Sequence, residues 1–294
     1  MPSDEPATLG PVFARHGYVF LFLFRQGIGL SVGQGTADGD LMARALAADG
    51  ARGRNNVQLE LLEGEELHEA MLGLEFLRAL PEVDEHRVAL AGHSFGGALT
   101  LLLASRDTAI RAVVVFGAAA ASWKQSPELR ARLLSAVDRS AAPVLFIHAT
   151  NDYSIAPGEA LASEMRRLGK PSRLIVYPAV GRDARDGHNL VYRSVRTWER
   201  DVFTFLTVHV AGSGSADPRS SDPAVYRAVL DSLSVPDARH RPTQLVVIDS
   251  TFTVRAQDFE VEKLPEVDKA TISDFQERNN ESHSVRYLSS VDLS

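Results

Sequence analysis

Arg87-Val88-Ala89-Leu90-Ala91-Gly92-His93-Ser94-Phe95-Gly96-Gly97 is the stretch on which the fold turns. Residues 87–91 form a nearly continuous apolar run, the pattern of a strand buried on both faces. Gly92 to Gly96 then read Gly-x-Ser-x-Gly, and residues 98–105 carry a helical pattern. A strand, a tight turn bearing serine and a helix are the context that gives this motif chemical meaning. The turn holds Ser94 in a strained backbone conformation and projects its hydroxyl from the carboxyl edge of a sheet. The Phe95 N–H falls at the helix start, where an N–H donor and the helix dipole together favour a developing negative charge.

Working outward, further buried strands are expected at 18–24, 112–116, 144–148 and 173–177. Helices are expected at 65–80, 94–105, 126–137, 157–168 and 190–210. In the first of these Leu67, Ala70, Met71, Leu74 and Leu77 share one face. Alternation of strand and helix at this spacing predicts an α/β fold with a mostly parallel sheet covered by helices. Residues 1–210 form that domain. Residues 211–223, rich in Gly, Ser, Asp and Pro, read as a linker. Residues 224–294 read as a small α+β C-terminal appendage, with helices at 224–233 and 269–279 and strands at 244–250 and 285–288. As a separate unit, the appendage would be dispensable for folding.

A serine nucleophile needs a base, and the base needs an orienting carboxylate. The strand at 144–148 runs into Ala149-Thr150-Asn151-Asp152-Tyr153, which puts Asp152 at a strand's carboxyl end. The strand at 173–177 leads into a loop that closes at His188. Ser94, Asp152 and His188 thus occupy the carboxyl ends of three β/α units on one sheet edge. Asp183 and Asp186 are rival acids but share the loop of His188, and a base is better oriented from a separate strand end. His93 reads as a packing residue pointing away from the site, and His148 as buried structure. Tyr153, beside Asp152, is the aromatic with the best claim to contact a substrate.

Composition removes other classes. Cysteine is absent, which excludes disulfide scaffolds, thiolate metal sites and a cysteine nucleophile. The 31 basic and 38 acidic residues give a net charge of −7, and no basic stripe suggests nucleic acid. The longest apolar run, 18–24, is too short to cross a bilayer, and residues 1–10 lack the pattern of a signal peptide. The expectation is no membrane partner and, by default, a cytoplasmic location. Gly27-Ile28-Gly29-Leu30-Ser31-Val32-Gly33 departs from the dinucleotide fingerprint, because its third glycine comes one residue late. His148, Asp152, Asp186 and His188 lack a tight metal-ligand spacing. No cofactor and no metal are expected.

Residues 92–97, Asn151-Asp152-Tyr153, Asp186-Gly187-His188 and the loop Arg25-Gln26-Gly27-Ile28-Gly29-Leu30-Ser31 resemble the α/β-hydrolases of the dienelactone hydrolase and prolyl-oligopeptidase-like group. The resemblance covers residues 11–210. It implies Ser94 as nucleophile, His188 as base, Asp152 as acid, the Phe95 N–H as an oxyanion donor, and hydrolysis of a small ester or peptide-like amide through an acyl-enzyme. Dienelactone hydrolases themselves use cysteine, so their lactone substrate does not carry over. In such a sheet a strand lies between the one at 18–24 and the elbow strand, and the loop after it supplies a second oxyanion donor. Residues 1–17 cannot form that strand. The sheet is therefore expected to lack its first strands, as in an N-terminally shortened hydrolase. The strand at 18–24 must then pair with the elbow strand directly, with another segment, or with water. An incomplete oxyanion hole would leave a catalytically weak or inactive binding protein, the alternative to an enzyme.

Overall fold

Tyr18-Val19-Phe20-Leu21-Phe22-Leu23 alternates its side chains between two separate cores. Val19, Leu21 and Leu23 enter one cluster, Tyr18, Phe20 and Phe22 the other. A strand with period-2 geometry and apolar residues on both sides needs cover on both sides. The computed structural model describes residues 5–28, 31, 33–81, 83–212, 243–248 and 285–288. In chain order these form α1 (Glu5–Arg15), β1 (Tyr18–Leu23), α2 (Asp38–Glu63, broken at Gly50), α3 (Glu65–Ala79), β2 (Val88–His93) and α4 (Ser94–Ala104). Then come β3 (Ala112–Phe116), α5 (Pro127–Arg139), β4 (Val144–Ala149), α6 (Ala156–Arg167) and β5 (Ser172–Tyr177). The short helices α7 (Ala184–His188) and α8 (Leu190–Arg193) lead to α9 (Val195–Leu206), which widens into a π-helical turn over Thr207–Gly212. Last are β6 (Thr243–Ile248) and β7 (Val285–Leu288).

The sheet runs β5-β4-β3-β2-β6-β1-β7. All neighbours are parallel except β7, which lies antiparallel to β1. One layer, built from α3, α4, α5 and α6, packs on Leu90, Val113, Val115, Val144 and Phe146. The other, from α1, α8 and α9, packs on Ala89, Ala91, Val114, Phe116, Leu145 and Ile147. Helix α4 is buried along its length after Ser94, which is why its sequence is apolar on every side.

Of the three ways to satisfy the backbone of β1, pairing with another segment is the one that occurs. β6 lies between β1 and β2 and pairs with both, Tyr18 opposite Thr243 on one side and Val88 opposite Gln244 on the other. A continuous apolar stretch, Leu245-Val246-Val247-Ile248, suits a strand flanked on both edges. The expected strands at 244–250 and 285–288 thus join the main sheet as β6 and β7. The two expected tail helices, and the linker beyond Gly212, lie outside the described residues.

Three further differences are local. The final helix, expected unbroken over 190–210, is interrupted at Ser194 (φ −143°, ψ 50°). There the Ser194 N–H closes the turn of α8 on the Leu190 carbonyl at 3.0 Å, and its own carbonyl accepts from the Thr197 N–H at 2.9 Å to begin α9. Helices α1 and α2 carry weak sequence signals: α1 contains Pro11, and α2 has Ala37 at its N-cap with no side-chain bond and glycine at 39, 50 and 53. Met71, expected on the apolar face of α3, is exposed.

Candidate active site

The strand-to-helix turn leaves Ser94 at φ 55°, a left-handed conformation that costs a non-glycine residue about 1–3 kcal/mol. Burial of β2 and α4 on either side holds it there. His188 Nε2 lies 2.8 Å from Ser94 Oγ, and His188 Nδ1 lies 2.7 Å from Asp152 Oδ1. Three residues from the ends of β2 and β4 and from the loop after β5 therefore stand in a Ser-His-Asp line.

The Asp152 side chain is 1% exposed. Burial pushes its carboxyl up, but hydrogen bonds from His148 and His188 outweigh burial and hold it down at about 2. It is a carboxylate at neutral pH and can only accept. His188 must then carry its proton on Nδ1, which leaves Nε2 as the acceptor for the serine hydroxyl. Burial lowers the His188 pKa below the ordinary histidine value, and the bond to Asp152 offsets only part of that. A neutral, correctly oriented base results.

Asn151 joins the acid loop to the base loop. Its Nδ2 donates to the carbonyls of Val180 (2.9 Å) and Asp183 (2.8 Å), and its Oδ1 accepts from the Val180 N–H (2.9 Å). Gly187 passes so close that a Cβ there would stand 2.4 Å from Asn151 Oδ1. The rival acids are engaged locally: Asp183 caps α7 by accepting from the Asp186 N–H, and Asp186 accepts from the Arg182 N–H and pairs with Arg193.

The structure also brings in residues that motif reading missed. His148, buried at the end of β4, places Nδ1 2.8 Å from Asp152 Oδ2. His93 does not point away: its Nε2 donates to the His188 carbonyl at 2.8 Å, and the two rings stand 4.7 Å apart. Gly117, after β3, has φ 58°, and a Cβ there would lie 3.0 Å from His188 Nδ1 and 3.1 Å from Asp152 Oδ2. Its signal in the sequence was only a glycine directly after an apolar strand. Arg25, fully buried, pairs with Asp38 (3.1 Å) and Glu66 (3.0 Å) and lies 4.5 Å above the ring of Phe95. Tyr153 is 47% exposed, with its ring 4.9 Å from that of His188.

The model of the dienelactone hydrolase family matches residues 13–206. No curated protein matches the chain. Among solved structures it is similar to an acylaminoacyl peptidase of Pyrococcus horikoshii, at 18% identity and a TM-score of 0.40, over 50% of this chain and 28% of that one. It is similar to a puromycin-hydrolyzing peptidase of Mycobacterium tuberculosis, at 17% identity and a TM-score of 0.39, over 49% of this chain and 26% of that one. It is also similar to Est1E from Butyrivibrio proteoclasticus, at 18% identity and a TM-score of 0.36, over 46% of this chain and 68% of that one. The chain thus spans little more than a quarter of the two peptidases. Because the family model runs from the end of α1 through β1, the elbow, the acid loop and the histidine to the end of α9, the chain belongs to the dienelactone hydrolase family.

Proposed function

We propose that the protein is a serine hydrolase that cleaves a small ester or a peptide-like amide through an acyl-enzyme. The observation that carries this reading is the continuous hydrogen-bonded line from Asp152 through His188 to Ser94. Ser94 Oγ attacks the substrate carbonyl carbon while His188 Nε2 takes its proton. Asp152 holds the imidazole tautomer and stabilises the imidazolium that forms. The Phe95 N–H, in the first turn of α4 where backbone donors have no helical partner, donates to the tetrahedral oxyanion. His188 then gives its proton to the departing alcohol or amine. Water, deprotonated by the same nitrogen, releases the acid product and restores Ser94. Tyr153, exposed beside His188, forms a wall for the leaving group or acyl chain.

The test is labelling with a fluorophosphonate, which captures an activated serine without regard to substrate. A single adduct on Ser94, located by mass spectrometry, is expected. Folded protein that takes up no label would instead favour a non-catalytic scaffold. A panel of short- and long-chain nitrophenyl esters beside a dipeptide amide then separates esterase from amidase.

A further inference from the structure

His148 is a buried imidazole that the hydrolytic steps do not use, yet it touches the triad's acid. Its side chain is 2% exposed, and Nδ1 lies 2.8 Å from Asp152 Oδ2, the oxygen that His188 does not take. The other oxygen, Oδ1, accepts from His188 Nδ1 at 2.7 Å and from the Tyr153 N–H at 2.7 Å. The carboxylate is thereby gripped on both oxygens. His148 is itself clamped: a Cβ at Gly158 of α6 would stand 2.7 Å from its Nε2 and 2.8 Å from its Cδ2, so the helix packs directly on the ring.

We infer that His148 is a positioning residue of the hydrolytic site, acting through Asp152 to set both the direction of the triad's carboxylate and the strength of its pull on His188. This inference rests on the serine-hydrolase reading above. Because Asp152 is ionised and only accepts, His148 must present Nδ1–H to it. Two effects follow. The bond fixes Oδ1 toward His188, so the base meets Ser94 in one orientation. It also spreads the carboxylate's charge over a second donor, which weakens the stabilisation that Asp152 gives to protonated His188. His148 therefore keeps the base neutral, and so usable, at lower pH.

Other groups facing this pair do not substitute for it. Around Asp152 stand His148 on β4, His188 on α7 and the Tyr153 N–H; around His188 stand Asp152, Ser94, the Tyr153 ring, and His93 on β2, which donates to its carbonyl. Asp183 and Asp186 are turned to partners near α7. Among the described residues, His148 is the one that bonds the second carboxylate oxygen, and it does so from a buried strand end.

The test follows the rate of fluorophosphonate labelling at Ser94 against pH, which needs no known substrate. His148→Leu should slow labelling by about 10- to 100-fold, the scale of a catalytic group misplaced by a fraction of an ångström to an ångström. The acid limb of its profile should move to higher pH. His148→Asn, whose Nδ2 can occupy the place of Nδ1, should recover most of the rate and return the limb toward the wild-type position. A merely structural role would lower the amount of folded protein without moving the limb. A His148→Leu protein that melts like wild type and keeps both rate and limb overturns the inference, as does an Asn variant as impaired as the Leu variant. Nitrogen-15 spectra of histidine-labelled wild-type protein give a result that does not depend on any variant folding. His148 should be protonated at Nδ1, and protonation at Nε2 alone overturns the proposal. If wild-type protein takes no label, the hydrolase reading fails, while the tautomer measurement still decides whether His148 grips Asp152.

Discussion

Asp152 carries a buried negative charge that three donors share, and the acid assignment is the sharpest expectation at the scale of single residues. Ser94→Ala and His188→Ala should each slow hydrolysis of an activated ester by about 10⁴-fold or more, because nucleophile and base act as a unit. Asp152→Asn should fall by a similar order, since the amide presents a donor where His188 needs an acceptor. Asp186→Asn should stay close to wild type, because that side chain serves the Arg182 N–H and Arg193 rather than the base. An inactive Asp186→Asn beside an active Asp152→Asn would reverse the assignment. The pH dependence follows from His188. Burial lowers its pKa, and only the neutral imidazole accepts the serine proton. Labelling of Ser94 should thus be at full rate near neutral pH and fall as pH drops through a limb below the ordinary histidine value of about 6.5. A limb above that value would show that the pull of Asp152 outweighs burial.

Among the elements, α3 carries the least expected feature, two carboxyl groups turned into the protein beneath the loop after β1. Burial, with the charge of Glu66 beside it, pushes Glu69 up to about 9. Burial likewise pushes Glu66 up to about 7 against the opposing pull of Arg25. The sign for stability is set by which state holds the proton. The unfolded chain releases it near the ordinary value of 4.5 and the folded chain keeps it until about 9. Stability is therefore lost as pH rises across that window. Glu69→Gln, neutral at every pH and able to keep the partnership with Gln26 (3.1 Å), should melt with a shallower decline between pH 5 and 9 than wild type. Parallel melting curves for the two proteins would show that Glu69 is ionised throughout. Arg25, pinned by Glu66 and Asp38 over the Phe95 ring, links this buried cluster to the first turn of α4, so the helix that starts the site also closes the core.

At the level of the whole molecule, the sheet is continuous only because β6 enters it. Its backbone groups bridge β1 and β2, and β7 covers the outer edge of β1. A chain ended after Gly212 would present unpaired donors and acceptors on the facing edges of β1 and β2, which only water or aggregation could satisfy. The expected outcome is loss of a cooperative melt, together with loss of labelling at Ser94, which sits at the end of β2. A truncated protein that melts cooperatively with undiminished labelling would show that β1 and β2 can pair directly. That outcome would also fit the reading of residues 224–294 as a dispensable appendage.

The sequence by itself determined the parts whose signals are local. An apolar run followed by Gly-x-Ser-x-Gly and a helical pattern reads as a strand, a strained turn and a helix, because the run needs burial on both faces and the glycines let strand and helix pass closely. Strands ending at Ala149 and Tyr177, with Asp152 and His188 in the loops beyond them, place the acid and base on the same edge as Ser94 because parallel β/α units all present their carboxyl ends together. Tertiary structure alone decided the contacts that no period or spacing encodes. His148 reads as an apolar strand's last polar residue until the turn after β4 folds Asp152 back onto it. Asn151 is an ordinary loop residue until Val180 and Gly187 arrive from another strand's end. The strand at Thr243–Ile248 was legible as a strand, but not its place between β1 and β2. A strand's own residues specify which faces it buries, whereas its neighbours are chosen by whichever edges the rest of the fold leaves unpaired.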